Sequence, residues 1–179
     1  SKLCGGIARF VFRGAKAVTG CSQDLRDRAV AVGSADETTF AVPYGVDTSR
    51  YCRGKGEKLR TTLGLPPDAI LIGALGRHVD KKGFAYLVDA MPRILGAYPN
   101  AHCVLGGDGY RQAQLQERAQ ALGVGERVHF PGYISWVQTP EYYRMFDVFT
   151  VPSIIDANGN RDGLPNVLLE AMSCGCSVV

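Results

Sequence analysis

Strand-like apolar runs alternate with helix-like segments along most of this sequence, from about residue 55 to its last residue. Strands are predicted at residues 70–75, 102–105, 128–130, 148–151 and from 177, and helices at 55–63, 84–98, 110–122, 140–145 and 165–174. Strands that alternate with helices form parallel sheets through right-handed crossovers, with helices on both faces and ligand sites at the carboxyl ends of the strands. The sequence therefore predicts an α/β fold built on a parallel sheet.

The first 42 residues predict a separate set of elements. Apolar side chains recur at helical spacing over residues 3–15, and Arg9, Arg13 and Lys16 form a basic face among them. That face suits solvent and also the surface of an anionic membrane, so peripheral membrane association of the full-length protein stays open. The further elements are a strand at 17–22, a helix at 22–32, a strand at 38–42 and a turn or hinge at 43–47.

Composition excludes several classes of function. An apolar share of 46% in 179 residues predicts a soluble globular protein, and a formal charge of +3 without a run of Lys or Arg argues against nucleic-acid binding. The cysteines form no CxxC pair, and neither HExxH nor an Asp-x-Asp motif occurs, so we expect reduced thiols and no required metal. No apolar run reaches the roughly 18 residues of a membrane span.

Both ends of the sequence read as interrupted elements. It begins without Met in what reads as a helix and stops in what reads as a strand, so we interpret it as a piece of a longer protein. The absence of a targeting signal then carries no information. Cysteine usage points to a cytoplasmic location, with the inner face of the membrane as the alternative.

Residues 161–175 (RDGLPNVLLEAMSCG) combine a clear helix with a carboxylate among apolar neighbours. Pro165 suits the first turn of a helix, and Gly175 suits a left-handed cap. The side chains between them are apolar in every direction, which predicts a fully buried helix. Glu170 lies in its middle, where an ionised carboxylate costs several kcal/mol unless a partner bonds it.

Asp162 lies eight residues before Glu170, at about 12 Å of axial rise and about 80° of rotation. The two acids could therefore serve opposite ends of one extended ligand. Between them, the amides of Gly163, Leu164 and Asn166 are predicted to form a helix N-terminus that favours an anion such as phosphate. The alternative is structural: Glu170 pairs with a core Arg or a backbone amide, and Asp162 is only an acid at a helix start.

A cationic loop follows the first predicted strand of the sheet. Arg77 and Lys82 leave the carboxyl end of that strand just before a helix, which describes a phosphate site or, alternatively, a solvated surface loop. The glycines of residues 106–109 allow close approach of the backbone after the next strand. They do not form a GxGxxG fingerprint, because Gln112 stands in place of the third glycine.

These motifs resemble those of the family-four retaining glycosyltransferases, which have the GT-B fold. The family pattern is Glu-x7-Glu, whereas this sequence has Asp162-x7-Glu170, with Gly-Leu-Pro after the first acid and Glu-Ala-Met at the second. The form Arg-Asp-Gly-Leu-Pro-Asn-Val looks like a variant found in exopolysaccharide and cell-envelope members. The resemblance implies a Rossmann-like donor domain, incomplete at its C-terminus, over residues 43–179, preceded by the tail of an acceptor domain over residues 1–42.

The resemblance also implies a role for each residue of the site. Arg77 and Lys82 would neutralise the donor diphosphate, with Lys81 the less favoured candidate, while Asp162 would hold hydroxyls of the donor sugar and Glu170 the ribose diol. The backbone and side-chain contacts to the nucleotide would come from Gly76, Gly107, Tyr133, Ile134, Gly163, Leu164 and Asn166. Without the resemblance, a simple tight turn is an equally good interpretation of residues 106–109. A core aromatic followed by a turn is likewise the alternative interpretation of residues 128–134.

The function implied is transfer of a sugar from a nucleotide diphosphate sugar to a glycan, lipid or small molecule, with retention of configuration and without a metal or other cofactor. We expect this chain by itself to bind the donor and to be inactive in transfer. A non-catalytic module that binds nucleotide sugars is the alternative, and Asp162 favours the enzyme because a plain nucleotide does not need it. An oxidoreductase ranks third, for want of GxGxxG.

Overall fold

A computed structural model describes the backbone of residues 2–179 and the side chains of residues 5–179. By its contacts the chain forms two compact units. One runs up to Gly45 and includes Gly163–Pro165, and the other consists of Val46–Asp162 and Asn166–Val179. The predicted boundary at residue 42 lies close to this division. The assignment of the units to an acceptor and a donor half stays a prediction.

The first unit contains two helices and a two-stranded parallel sheet. Its elements are α1 (Lys2–Gly14), β1 (Val18–Gly20), α2 (Gln23–Val32) and β2 (Thr39–Ala41). The hydroxyl of Ser22 accepts the Leu25 amide at the start of α2, and Gly33 ends that helix with a positive φ of 125°. The four elements predicted for this part of the sequence are thus confirmed.

The second unit is built on a five-stranded sheet in which every pair of neighbours is parallel. The strands are β3 (Ile70–Leu75), β4 (Ala101–Gly106), β5 (Val128–His129), β6 (Val148–Phe149) and β7 (Ser177–Val178), in the order β5-β4-β3-β6-β7. The chain thus moves outward from β3 in one direction and then returns to its other side. Such a reversal opens a crevice at the carboxyl ends of the central strands.

Helices cover both faces of this sheet, as predicted. They are α3 (Glu57–Thr62), α4 (Phe84–Ala97), α5 (Gln112–Ala121), α6 (Thr139–Met145) and α7 (Asn166–Ser173). Because side chains alternate along a strand, β3 supplies both cores: Leu71 and Leu75 face α6 and α7, whereas Ile72 and Ala74 face α4 and α5. Fully buried Tyr143 and Phe149 lie in the first core, and Val88 and Met91 in the second.

The prediction that the acid-bearing helix is buried on all sides is wrong. Helix α7 places Ala171 in the core, whereas Met172 is 58% exposed and Glu170 is half-buried. An apolar sequence shows that a helix can be buried, but the neighbouring elements decide which sides are covered. The predicted cap is confirmed, since Gly175 has a φ of 87° and its amide bonds the carbonyl of Met172.

Within the part of the chain that the structure describes, no helix has the length and apolar character needed to cross a bilayer.

A close backbone contact joins the loop after β3 to the loop after β6. Gly83 has a φ of 65°, and a Cβ added to it would overlap the carbonyl oxygen of Pro152. Gly64 has nearly the same φ, 66°, but open space around its Cα. Substitutions at these two glycines therefore distinguish the energetic cost of a positive φ from the cost of a steric overlap.

Replacing Gly64 by Ala should lower the free energy of unfolding by about 1 kcal/mol, the cost of a left-handed residue. Gly83→Ala should lower it by about 2–4 kcal/mol, because overpacking of the two loops is added. Urea denaturation of both variants measures the difference. Equal losses would show that the contact with Pro152 relaxes at no cost.

Candidate functional site

The carboxyl ends of β3, β4 and β6 meet at one edge of the sheet because these strands are parallel neighbours. The loops after them are bonded together: the Gly76 amide donates to the Gly106 carbonyl (2.9 Å), and the Ile154 amide donates to the Lys81 carbonyl (2.9 Å). At Gly107, with a φ of 122°, an added Cβ would overlap the Gly76 carbonyl, so this approach requires glycine. The three loops form one continuous rim, which we call the strand-end rim.

A carboxylate bridges two lysines at this rim. Asp162 Oδ1 lies 2.8 Å from Lys81 Nζ, and Asp162 Oδ2 lies 2.7 Å from Lys82 Nζ. The hydroxyl of Ser153 also donates to Oδ2, at 2.8 Å. Burial opposes ionisation of this carboxyl, but the two ammonium groups and the hydroxyl lower the pKa of Asp162 from 3.8 to about 2. We call Lys81, Lys82, Ser153 and Asp162 the bridged-acid cluster.

The motifs predict Lys82 and Asp162 at the site, but not their direct contact, and they favour Lys82 over Lys81. No motif includes Ser153. Ser153 lies in the loop after β6, just beyond the strand predicted at 148–151, so a search for polar side chains beyond each predicted strand would have found it. The direct pairing of acid and lysines could not have been found in this way, since 80 residues separate Lys82 from Asp162.

Arg77 lies on the same loop as Lys81 and Lys82 but takes no part in their contacts with Asp162. It is exposed, and no ion pair to its guanidinium is found among residues 5–179. The next side chain, His78, is completely buried and packs edge-on against Phe84 and Phe130. Burial lowers the pKa of His78, although the Asp108 carboxylate opposes that shift. The neutral, buried ring anchors the loop and leaves Arg77 at the surface, where an anion can reach it.

The hydrogen-bond partner of Glu170 differs from both partners predicted for it. The hydroxyl of Tyr143 donates to Glu170 Oε2 at 2.6 Å, rather than a core Arg or a backbone amide. Tyr143 is fully buried and packs edge-on against Tyr51 and Phe149. Burial, followed by the carboxylate, raises the pKa of Tyr143, so it stays a donor. No group among residues 5–179 bonds Oε1, which leaves one carboxylate oxygen free for a ligand.

The predicted glycine positions serve the shape of the site more than its hydrogen bonding. The amide of Gly107 donates to the carbonyl of Gly132 (2.8 Å), and that of Gly76 is likewise bonded within the protein. These two amides are therefore not free donors to a phosphate. Of the predicted base contacts, Tyr133 is 73% exposed, whereas Ile134 packs into the first core. Tyr133 is thus free to meet a ligand, and Ile134 supports the loop.

Only one of the three amides predicted at the N-terminus of the acid-bearing helix belongs to that helix. Helix α7 begins at Asn166, so Gly163 and Leu164 precede it and do not belong to its first turn. Both belong by their contacts to the first unit, where the Leu164 amide approaches the Sγ of Cys21 at 3.5 Å. Pro165 sets this boundary, because proline restricts the residue before it to extended backbone.

No group of three or more His, Cys, Asp or Glu side chains in the described part of the chain is arranged to hold a metal ion. His102 and His129 stack, with Nδ1 and Nε2 2.8 Å apart, beside Arg127. Burial is the main cause that lowers the pKa of both imidazoles, and the charge of Arg127 lowers it further. The expectation that no metal is required stays a prediction.

Residues 56–179 match the family model described as glycosyl transferases group 1. The chain belongs to this family. The family expected from the motifs is thereby confirmed, together with the α/β class and its parallel sheet flanked by helices.

Named relatives of this group 1 glycosyltransferase chain agree with the match. It is 32% identical over 168 residues to a GDP-mannose-dependent alpha-(1-6)-phosphatidylinositol monomannoside mannosyltransferase of Mycolicibacterium smegmatis, over 92% of this chain and 44% of the relative. Among solved structures it resembles the Anabaena protein HepE in complex with UDP and glucose, with a TM-score of 0.86, 25% identity and coverage of 99% of this chain and 48% of HepE. A complex of HepE with UDP-glucose gives a TM-score of 0.82, again at 25% identity, with 99% and 47% coverage. The chain thus spans less than half of the length of these similar proteins.

The low pKa of Asp162 makes the stability of this group 1 glycosyltransferase chain depend on pH. A carboxyl whose pKa falls on folding stabilises the fold above its unfolded-state value of 3.8, and that contribution is lost as the pH falls through about 2. Asp162→Asn should therefore lower the free energy of unfolding by on the order of 1–2 kcal/mol at neutral pH, and the difference should shrink between pH 4 and pH 2.

Urea denaturation across this pH range measures the effect. The control is Asp68→Asn, which removes the charge of an exposed carboxyl. A difference that stays constant down to pH 2 would contradict the ion pairing of Asp162.

Proposed function

We propose that the protein containing this chain is a retaining glycosyltransferase and that the unit Val46–Asp162 with Asn166–Val179 binds its donor, a nucleotide diphosphate sugar. The observation that carries the proposal is the bridged-acid cluster at the strand-end rim. It combines two ammonium groups with one carboxylate, and the exposed Arg77 lies on the same loop. Cations of this kind bind phosphate oxygens, and an ionised carboxylate accepts hydrogen bonds from sugar hydroxyls.

The charges suit a diphosphate that is linked to a sugar. Lys81 and Lys82 exceed Asp162 by one positive charge, and Arg77 adds a second. The diphosphate of a nucleotide sugar carries one negative charge on each phosphate, so the free site and the ligand are complementary. Asp162 stays ionised at neutral pH because its pKa is about 2, and it can therefore accept hydrogen bonds throughout the physiological range.

Each acid then has a distinct task. Asp162 holds hydroxyls of the donor sugar beside the diphosphate, while Glu170, kept in place by Tyr143, holds the ribose diol with its free oxygen. Arg77 and Lys82 stabilise the negative charge that develops on the departing diphosphate. Without a protein nucleophile in this scheme, the protein contributes orientation and charge stabilisation.

The names of the similar proteins support this choice of donor class. HepE has been solved in complex with UDP-glucose, and the mycobacterial relative is named as dependent on GDP-mannose. Uridine and guanosine donors are therefore the two to test first.

Arg77→Ala should weaken UDP or GDP by about 1.5–3 kcal/mol, as expected for charge-assisted hydrogen bonds, and should leave the parent nucleoside almost unaffected. Titration calorimetry with nucleoside and nucleotide measures both. Arg93→Ala, an exposed Arg in the second half of α4, is the matched control. Equal losses for nucleoside and diphosphate would remove Arg77 from the phosphate site.

The two acids should respond differently to the removal of charge. Glu170→Gln should weaken nucleoside diphosphate and nucleotide sugar alike, by about 1–3 kcal/mol, because both ligands carry the ribose. The Asp162→Asn substitution releases both lysines, so the variant should bind the nucleoside diphosphate at least as well as the wild type does. The variant should lose the additional affinity that the sugar gives to the nucleotide sugar.

The ratio of the two affinities, UDP-glucose over UDP or GDP-mannose over GDP, is the quantity to compare, with melting temperatures recorded for every variant. An Asp162→Asn variant that keeps the wild-type ratio would contradict the donor-sugar role. In the full-length protein the same substitution should lower turnover, which tests transfer itself rather than binding.

A further inference from the structure

The bridged-acid cluster contains one more lysine than a single acid needs. Lys81 and Lys82 each contact a different oxygen of Asp162, at 2.8 and 2.7 Å. Both lysines are largely buried at their side chains, with 24% and 18% exposed, and so is Asp162 with 12%. Ion pairs at fully exposed sites contribute little, but this degree of burial reduces screening by solvent.

The two lysines are held by different parts of the rim. The stem of Lys82 lies over the end of β3, since a Cβ added to Gly76 would lie 3.4 Å from Lys82 Cε. Lys81 is tied by its carbonyl to the Ile154 amide in the loop after β6, the loop that also carries Ser153. Lys82 is therefore the lysine whose stem lies at the end of the central strand, whereas the backbone of Lys81 is bonded to the loop after β6.

A diphosphate bound at this rim would attract Lys82, and Asp162 would then lose one of its two cations. A largely buried carboxylate that keeps no cation pays the desolvation cost without compensation. With Lys81 and Ser153 still in contact, Asp162 would remain ionised and in place.

From this geometry we propose that Lys81 is a positioning residue for Asp162: it retains the acid, in place and ionised, while Lys82 turns to the donor diphosphate. The inference rests on the proposed function and deepens it. Lys81 acts through Asp162 and touches no part of the ligand. Its removal therefore affects recognition of the donor sugar only as long as the acid is present.

A double-mutant cycle between Lys81 and Asp162 tests this directly. Lys81→Met keeps the apolar stem and removes the charge, and Lys58→Met, at an exposed lysine of α3, is the control for the change in net charge. Affinities for UDP, UDP-glucose, GDP and GDP-mannose are measured by calorimetry with the 179-residue chain. Titration of the Asp162 carboxyl by NMR gives a second readout.

In the wild-type background Lys81→Met should weaken the nucleotide sugar that binds by about tenfold, an interaction of the size that neighbouring charges show. In the Asp162→Asn background the same substitution should change that affinity by no more than the Lys58→Met control does. The pKa of Asp162 should rise toward 3.8 in Lys81→Met.

Four outcomes would overturn the inference. Equal losses of UDP or GDP in both backgrounds would make Lys81 a direct phosphate ligand. No loss in either background would leave it without a role in donor binding. If the wild type binds the nucleotide sugars and the cycle shows no coupling, only this inference fails. If the wild type binds none of the four compounds, the proposed function fails with it.

Discussion

The parallel pairing of β3 with β4 on one side and β6 on the other is the constraint on which the rest of the structure depends. It brings the loops after three strands to one edge, and it divides the apolar side chains of β3 between two cores. Because backbone hydrogen bonds fix the register, the loops leave the sheet at fixed positions. Close approach of their backbones then follows, and glycines at Gly83 and Gly107 make that approach sterically feasible.

Electrostatics at this edge result from the same packing. The loop after β3 carries the cations, the loop after β6 carries Ser153, and Asp162 closes the cluster from the end of that loop. A carboxylate removed from solvent is costly by itself, and two ammonium groups at hydrogen-bond distance offset that cost. The free site thus holds a carboxylate and two cations in direct contact. Glu170 is held in another way, by a neutral donor from the core that occupies one oxygen and leaves the other free.

The strands and helices of the second unit could be predicted closely because each depends on local pattern. The run Ile70–Leu75 was predicted with its observed bounds, since a short apolar run between turn residues is typical of a buried parallel strand. Helix α7 was predicted from residue 165, one residue before its observed start at Asn166, and its burial was overestimated. Local sequence indicates that a helix can form there, but the sides that are covered depend on elements far away in the chain. The same holds for Tyr143, whose contact with Glu170 spans 27 residues.

The sequence by itself determined the class of fold and the family, and it named most of the candidate site residues, because periodicity, turn residues and short motifs are properties of neighbouring positions. Only the tertiary structure decided how these side chains are paired. That Lys81 shares Asp162 with Lys82, that Ser153 joins them, and that the amides of Gly76 and Gly107 are already used within the protein all depend on distances between loops. Those distances are set by the packing of the sheet against its helices, and a pattern of residues along one chain does not contain them.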